Sequence, residues 1–285
     1  MRSLQTPERV ERVAVGDDRG VLVRRRDGTG IPVVLLHGLL DSSAGWSGLC
    51  RAITGPTVAV DLAGFGDSSA ATAPELGAFA DDVVRALRRL RLARFVLVGH
   101  SLGGAVASVV AERMPDQVAG LVLLAPAGFG RIPLADAVSL PIVRSVVDRL
   151  LPHALARPRI VSAMYRAGIT GGPPPDAALL ETLAADPVRL AVSARRAVAA
   201  IVASDSLHER GVAYGGPVHV VWGDRDRVVP PAHLGGVEDA FPHVFGELWR
   251  GMGHHHQREA PGRLARLIER VRDAAVVPSL ERLAA

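Results

Sequence analysis

The sequence predicts an α/β protein: a mostly parallel, doubly wound central sheet carrying a helical insertion. Three observations predict it. Short β-branched runs alternate with amphipathic helical segments through residues 1–130 and again after about residue 210. The central runs are almost wholly apolar, as strands covered on both faces must be. Residues 131–210 carry helical patterns and no convincing strand.

In chain order, the strand segments are Val10 to Val15, Val21 to Arg25, Val33 to Leu36, Val58 to Asp61, Phe95 to Gly99 and Leu121 to Leu124. Val218 to Trp222 and a weaker Val244 to Leu248 follow late in the chain. Between the early strands, Phe79, Val83, Leu87 and Leu90 share one side of a helix, with Asp81, Asp82, Arg85, Arg88 and Arg89 around the rest. The insertion reads as helices over Leu134 to Leu151 and Pro187 to Ala203. A stiff Gly171-Gly172-Pro173-Pro174-Pro175 turn separates them. A last helix runs from Pro261 to about Ala274. The expected organisation is a core domain of residues 1–130 and 211–285, with residues 131–210 as a helical cap or lid over the sheet edge.

Composition sets the outer bounds. At 285 residues, with 48 % hydrophobic and 22 % charged side chains, the chain is neither disordered nor fibrous. One cysteine, Cys50, excludes a disulfide framework and a Cys-rich zinc module. The pI of about 10.3 accompanies a net charge of only +4. All 33 basic residues are arginine. Since almost nothing else titrates at high pH, a small arginine excess holds the pI up, and no nucleic-acid partner is implied. The first twenty residues lack the apolar run of a secretory signal, and no stretch is long enough to span a bilayer. A soluble, cytoplasmic location is expected.

Chemistry first appears in Val96-Leu97-Val98-Gly99-His100-Ser101-Leu102-Gly103-Gly104-Ala105-Val106-Ala107. An apolar strand runs into Gly-x-Ser-x-Gly, and a helix of small residues leaves it, which is the context of a nucleophile elbow. Ser101 then stands at a helix N-terminus, where backbone N–H groups favour developing negative charge. From these residues the chain resembles the α/β-hydrolase fold family, and within it the cap-bearing serine hydrolases. His37-Gly38 resembles the family's oxyanion loop, and Asp61-Leu62-Ala63-Gly64-Phe65-Gly66-Asp67-Ser68 its Asp-x-x-Gly-x-Gly-x-Ser segment. Gly223 to Pro230 resembles Gly-x-x-Asp-x-x-x-Pro, and Gly251-Met252-Gly253-His254 resembles Gly-x-Gly-His. The resemblance covers about residues 20 to 275 outside the insertion.

A serine hydroxyl needs a base to take its proton. Ten histidines are available, and the loop after the last strand offers His254, His255 and His256. Sequence position alone does not separate these three. The resemblance implies His254, because family members continue from it to a Glu-x-Pro, here Glu259-Ala260-Pro261. His255 and His256 then read as a polar loop, and His37 and His100 as structural. For the carboxylate that orients the base, the resemblance implies Asp226, with Asp224 as runner-up; Arg225 and Arg227 beside it read either as solvated charges or as groups that keep its pKa low. It also implies the backbone N–H groups of Leu39 and Leu102 as the oxyanion hole. No cofactor and no metal are called for.

A serine rather than a carboxylate at the elbow argues against the family's dehalogenases and epoxide hydrolases. The expected reaction is hydrolysis of an ester or related acyl bond through an acyl-enzyme. A ring-cleavage-product C–C hydrolase is the alternative, since Leu121 to Gly130 resembles those enzymes, although the loop at His37 to Ser42 lacks their Gly-Pro-Gly-Ala run. Acyl transfer, or a non-catalytic receptor on the same fold, completes the set. Leu134, Val138, Leu140, Ile142, Val143, Val146, Val147, Leu150 and Leu151 are expected mostly to pack the cap on itself, with some facing the site. Few aromatics argue against sugar stacking, so a small to medium apolar acyl substrate is expected. Arg195 and Arg196 read as a solvated helix face. The oligomeric state is left open.

Overall fold

Eight strands form one sheet in the computed structural model, which describes residues 7–166, 173–203 and 206–283. They are β1 (Glu8–Ala14), β2 (Gly20–Arg26), β3 (Val33–Leu36), β4 (Thr57–Val60), β5 (Phe95–His100), β6 (Val118–Leu124), β7 (Val218–Gly223) and β8 (Val244–Trp249), in the order β1-β2-β4-β3-β5-β6-β7-β8. The first two pairings are antiparallel and the rest parallel. Helices α1 (Ser47–Ala52), α2 (Leu76–Arg89) and α3 (Leu102–Arg113) cross between the early strands. Between β6 and β7 come α4 (Pro133–Ser139), α5 (Pro141–Leu155), α6 (Pro158–Arg166), α7 (Ala177–Ala185), α8 (Pro187–Ala203) and α9 (Ser206–Arg210). The chain closes with α10 (His233–Ala240), α11 (His256–Glu259) and α12 (Pro261–Leu283).

Side chains alternate across a strand, so β3 feeds two cores. Val34 and Leu36 join the cluster under α2 and α3, with Phe79, Val83, Leu87 and Val106. Val33 and Leu35 join the other, with Leu49 of α1 and Leu264, Leu267 and Ile268 of α12. The sheet is doubly wound, as expected. Leu155, Val161, Tyr165, Leu179, Leu183 and Leu190 from the helices between β6 and β7 extend the first cluster.

Three details differ from the sequence reading. The helix expected over Leu134 to Leu151 is two helices, because Leu140 precedes Pro141 and takes extended backbone (φ −61°, ψ 134°). Asp82 lies on the buried side of α2 and is paired with Arg19, whose Nη1 donates to it at 3.1 Å. The last helix continues to Leu283. Gly171 and Gly172 lie outside the described residues. Among the described residues no helix is long and apolar enough to cross a membrane.

Candidate active site

Parallel strands place their carboxyl ends on one sheet edge, and the loops leaving β5, β7 and β8 carry Ser101, Asp226 and His254. Ser101 holds φ +54° and ψ −118°, outside the favoured regions for a side chain with a Cβ. Such backbone costs about 1–3 kcal/mol and persists where its surroundings over-determine it. Ser101 N–H donates to Leu124 O at 2.9 Å, while Ser101 O accepts from Gly104 N at 2.9 Å and Ala105 N at 3.2 Å. The strand ladder and the first turn of α3 thus meet on one residue. A Cβ on Gly103 would lie 2.2 Å from Leu36 O, so only glycine lets α3 approach β3 this closely. Leu102 opens the helix, where an N–H has no intrahelical acceptor.

Asp226 and His254 meet: Oδ2 lies 2.7 Å from Nδ1, and both side chains are buried. The other carboxylate oxygen accepts from Val228 N at 2.8 Å and Val229 N at 3.0 Å. Burial pushes the Asp226 pKa up, but His254 and these N–H donors outweigh it and hold it below the ordinary value. Of the two readings of Arg225 and Arg227, that of exposed, solvated charges fits, since neither is among the causes. Asp224 is exposed and accepts from Gly251 N at 2.7 Å, tying down the histidine loop.

That loop is fixed by a residue for which the sequence reading assigned no role. Glu259 accepts from Gly253 N at 2.7 Å and from His255 N at 3.0 Å, clamping the backbone on either side of His254. His100, next to Ser101, donates from Nε2 to His254 O at 2.8 Å, and its Nδ1 faces Gln257 Nε2 at 3.3 Å. Its ring lies 4.6 Å from that of His254. Burial, then His254 and His256, hold the His100 pKa well below the usual range, so the ring stays neutral. The structural reading of His100 fits these contacts.

The loop after β3 lies against the elbow. A Cβ on Gly38 would sit 2.9 Å from His100 Nδ1 and 3.2 Å from Ser101 Cβ. His37 is also structural: its Nε2 accepts from Leu62 N at 2.9 Å, leaving Nδ1 to donate to Gly38 O at 2.8 Å. Leu39 is half-buried, and Leu40 takes φ +53°. Asp61, the first residue of its matched segment, accepts from Ser43 N at 2.6 Å and Asp67 N at 3.2 Å, joining two loops of this edge.

His255 and His256 are buried, not a solvated polar loop. His255 packs against His100, His254 and the Tyr165 ring of α6. His256 meets Trp249 edge-on, and burial pushes its pKa down to about 3. Arg258 Nη2 donates to Asp41 Oδ2 at 2.6 Å and its guanidinium lies over Tyr165, whose hydroxyl donates to Leu40 O at 3.4 Å. No local sequence signal marks that long-range pair.

The helices between β6 and β7 correct two expectations. Leu134, Leu140, Ile142, Val143, Val146 and Leu150 are exposed to solvent instead of packing the segment on itself. Arg196 is half-buried and donates to Ala71 O at 3.0 Å, so it departs from a solvated face, whereas Arg195 is exposed as read and reaches Asp148 at 3.9 Å.

A family model described as alpha/beta hydrolase fold matches residues 31–261. An uncharacterized protein of Mycobacterium tuberculosis is 28 % identical over 262 residues, 86 % of this chain and 76 % of its own. A thermophilic esterase from Thermogutta terrifontis, solved with malate bound, superposes with a TM-score of 0.71 at 22 % identity, covering 94 % of this chain and 99 % of that one. The 2-hydroxy-6-oxo-6-phenylhexa-2,4-dienoate hydrolase from Rhodococcus sp. strain RHA1 gives 0.68 at 18 % identity, covering 93 % and 98 %. At these identities the structural likeness is one of fold.

Proposed function

The chain belongs to the α/β-hydrolase fold family, and on that premise we propose that it is a serine hydrolase of a small to medium apolar acyl substrate. Ser101 is the nucleophile, His254 the base and Asp226 the carboxylate that orients it. The 2.7 Å contact between Asp226 and His254, at the sheet edge that carries the strained Ser101, is the observation that carries this reading.

The ionised Asp226 accepts the Nδ1 proton of His254, which leaves Nε2 free to take the proton of Ser101. Ser101 Oγ attacks the acyl carbon, and the resulting oxyanion is held by the N–H groups of Leu39 and Leu102. His254 returns the proton to the leaving alcohol. Water then repeats the sequence on the acyl-enzyme and releases the acid. The buried Asp226 carboxylate is matched by His254 and by the Val228 and Val229 N–H groups, so it stays ionised beside the imidazole as charge develops in the transition state. Residues 131–210 serve as the lid over this edge; the Tyr165 to Leu40 contact and an Arg189 Nη1 to Ser68 O bond of 3.1 Å support that role.

The test is hydrolysis of p-nitrophenyl acetate and butyrate. Ser101→Ala is expected to lose activity on the order of 10⁶-fold in kcat, and a fluorophosphonate probe should label the wild type at Ser101 alone. A variant retaining activity within about tenfold of wild type overturns the reading.

A further inference from the structure

Helix α5 is amphipathic in the wrong sense for a packed helix. Ile142, Val143, Val146 and Leu150 recur at spacings that put them on one side, and that side faces solvent. Ile142 is 82 % exposed, Leu150 59 % and Val146 52 %. The opposite side carries Leu155, which is buried, Leu151, which packs on the core, and Asp148, which meets Arg195 of α8 at 3.9 Å. Leu140 and Leu134, just before α5 and within α4, extend the apolar surface. A contiguous exposed patch of this kind marks an interaction surface.

Charge decides the occupant. Between residues 131 and 166 there are six arginines and two carboxylates. Both carboxylates are already matched, Asp136 by Arg131 at 3.1 Å and Asp148 by Arg195. Arg144, Arg149 and Arg159 are exposed and make no ion pair among the described residues. A second copy of the chain would bring the same cations face to face. An anionic lipid surface receives both features at once, apolar side chains below the headgroups and arginines among them.

We propose that α5 docks the protein peripherally on anionic bilayers, lying in the interface rather than crossing it. The next helix, α6, carries Tyr165 with its contact to Leu40, so the docked face lies one helix away from the loop after β3. The docking rests on the helix face and its charge, and it stands or falls independently of the chemistry at Ser101.

Co-sedimentation with vesicles of phosphatidylglycerol and phosphatidylcholine, against phosphatidylcholine alone, tests it on the full chain. Running Ser101→Ala in parallel separates binding from any hydrolysis of the lipid. Partitioning to the anionic vesicles should exceed that to the zwitterionic ones by about tenfold or more and fall with added salt. Arg149→Gln, on the flank of the apolar side, should weaken it about fivefold, and Arg144→Gln, on the side of Leu151 and Leu155, should weaken it less. The combined Ile142→Ser, Val146→Ser, Leu150→Ser variant should abolish it while unfolding at the wild-type urea concentration. Equal partitioning to both vesicles, no partitioning at all, or indifference to the triple substitution overturns the proposal. So does a wild-type dimer that the triple substitution dissociates, which would make a second copy the occupant.

Discussion

Arg258 Nη2 donates to Asp41 Oδ2 at 2.6 Å, joining a loop to a helix 217 residues away in the chain. Asp41 follows the loop proposed to supply an oxyanion donor, and Arg258 lies in the helix that begins just after the histidine loop. The side chains are 1 % and 11 % exposed, so neither charge has water to fall back on. Asp41 also accepts from Ser42 N at 2.8 Å, which ties its carboxylate to the backbone of its own loop. Removing one partner leaves the other buried and unmatched, at a cost of about 3–5 kcal/mol, whereas replacing both with apolar groups costs far less. Thermal unfolding should therefore show Arg258→Met and Asp41→Asn each melting roughly 10 °C low. The Asp41→Leu/Arg258→Met double variant should recover most of that loss. If the double variant is as unstable as the two losses added, the pair is not coupled.

The central strands β3 to β7 were readable from sequence because a strand covered on both faces must be apolar along its length, whereas β1, β2 and β8, with exposed or half-buried positions, were read from β-branched residues alternating with polar ones. The elbow was readable because glycines, serine and a strand-to-helix change coincide within a few residues. What escaped depended on partners distant in the chain. Nothing near Asp82 announces Arg19, and nothing near Asp41 announces Arg258. The apolar residues of α5 misled for a related reason: periodicity gives the apolar side of a helix but not what that side meets. His255 and His256 look solvated by residue type, yet the strands and α6 close over them. Glu259 stood in a matched motif, but its clamp on two backbone N–H groups is visible only in three dimensions.

Gly38 offers a test of the oxyanion loop that substitutes none of the proposed nucleophile, base and carboxylate, although the added methyl also lies 3.2 Å from Ser101 Cβ. A methyl group there meets His100 Nδ1 at 2.9 Å, and His100 is held by His254 O and Gln257. The loop must therefore retreat, carrying the Leu39 N–H with it. Gly38→Ala should lower kcat on ester substrates by about 10²–10³-fold, the usual effect of losing one oxyanion donor. KM should change little. An unchanged kcat with an intact circular dichroism spectrum would remove Leu39 from the proposed donors.

The three consecutive histidines separate by function. His254→Ala should match Ser101→Ala in lost turnover, since only its Nδ1 contacts Asp226. His255→Ala and His256→Ala should keep the chemistry but lose stability, because each ring fills a buried position. Fluorophosphonate labelling per folded molecule distinguishes the outcomes. A dead His255→Ala beside an active His254→Ala would shift the assignment by one residue.

The buried histidines also set a pH dependence whose sign follows from their direction of shift. His256 falls from an ordinary 6.5 to about 3, and His100 lies well below the usual range, both chiefly through burial. Below pH 6.5 the unfolded chain takes up protons that the folded protein refuses. Stability is therefore full above that pH and is lost as pH drops toward 3, at up to about 1.4 kcal/mol per pH unit for each such ring. The half-buried His219 and His233 are lowered too and act in the same sense. Asp226 is held below 3.8 in the folded state, so its stabilising share persists until pH nears 4 and does not contribute to this slope. Urea unfolding at pH 7, 6 and 5 should show a steady decline in the midpoint, and His256→Gln should flatten it by the equivalent of one proton. A flat wild-type profile over that range would mean that the rings accept protons without unfolding, contrary to their burial.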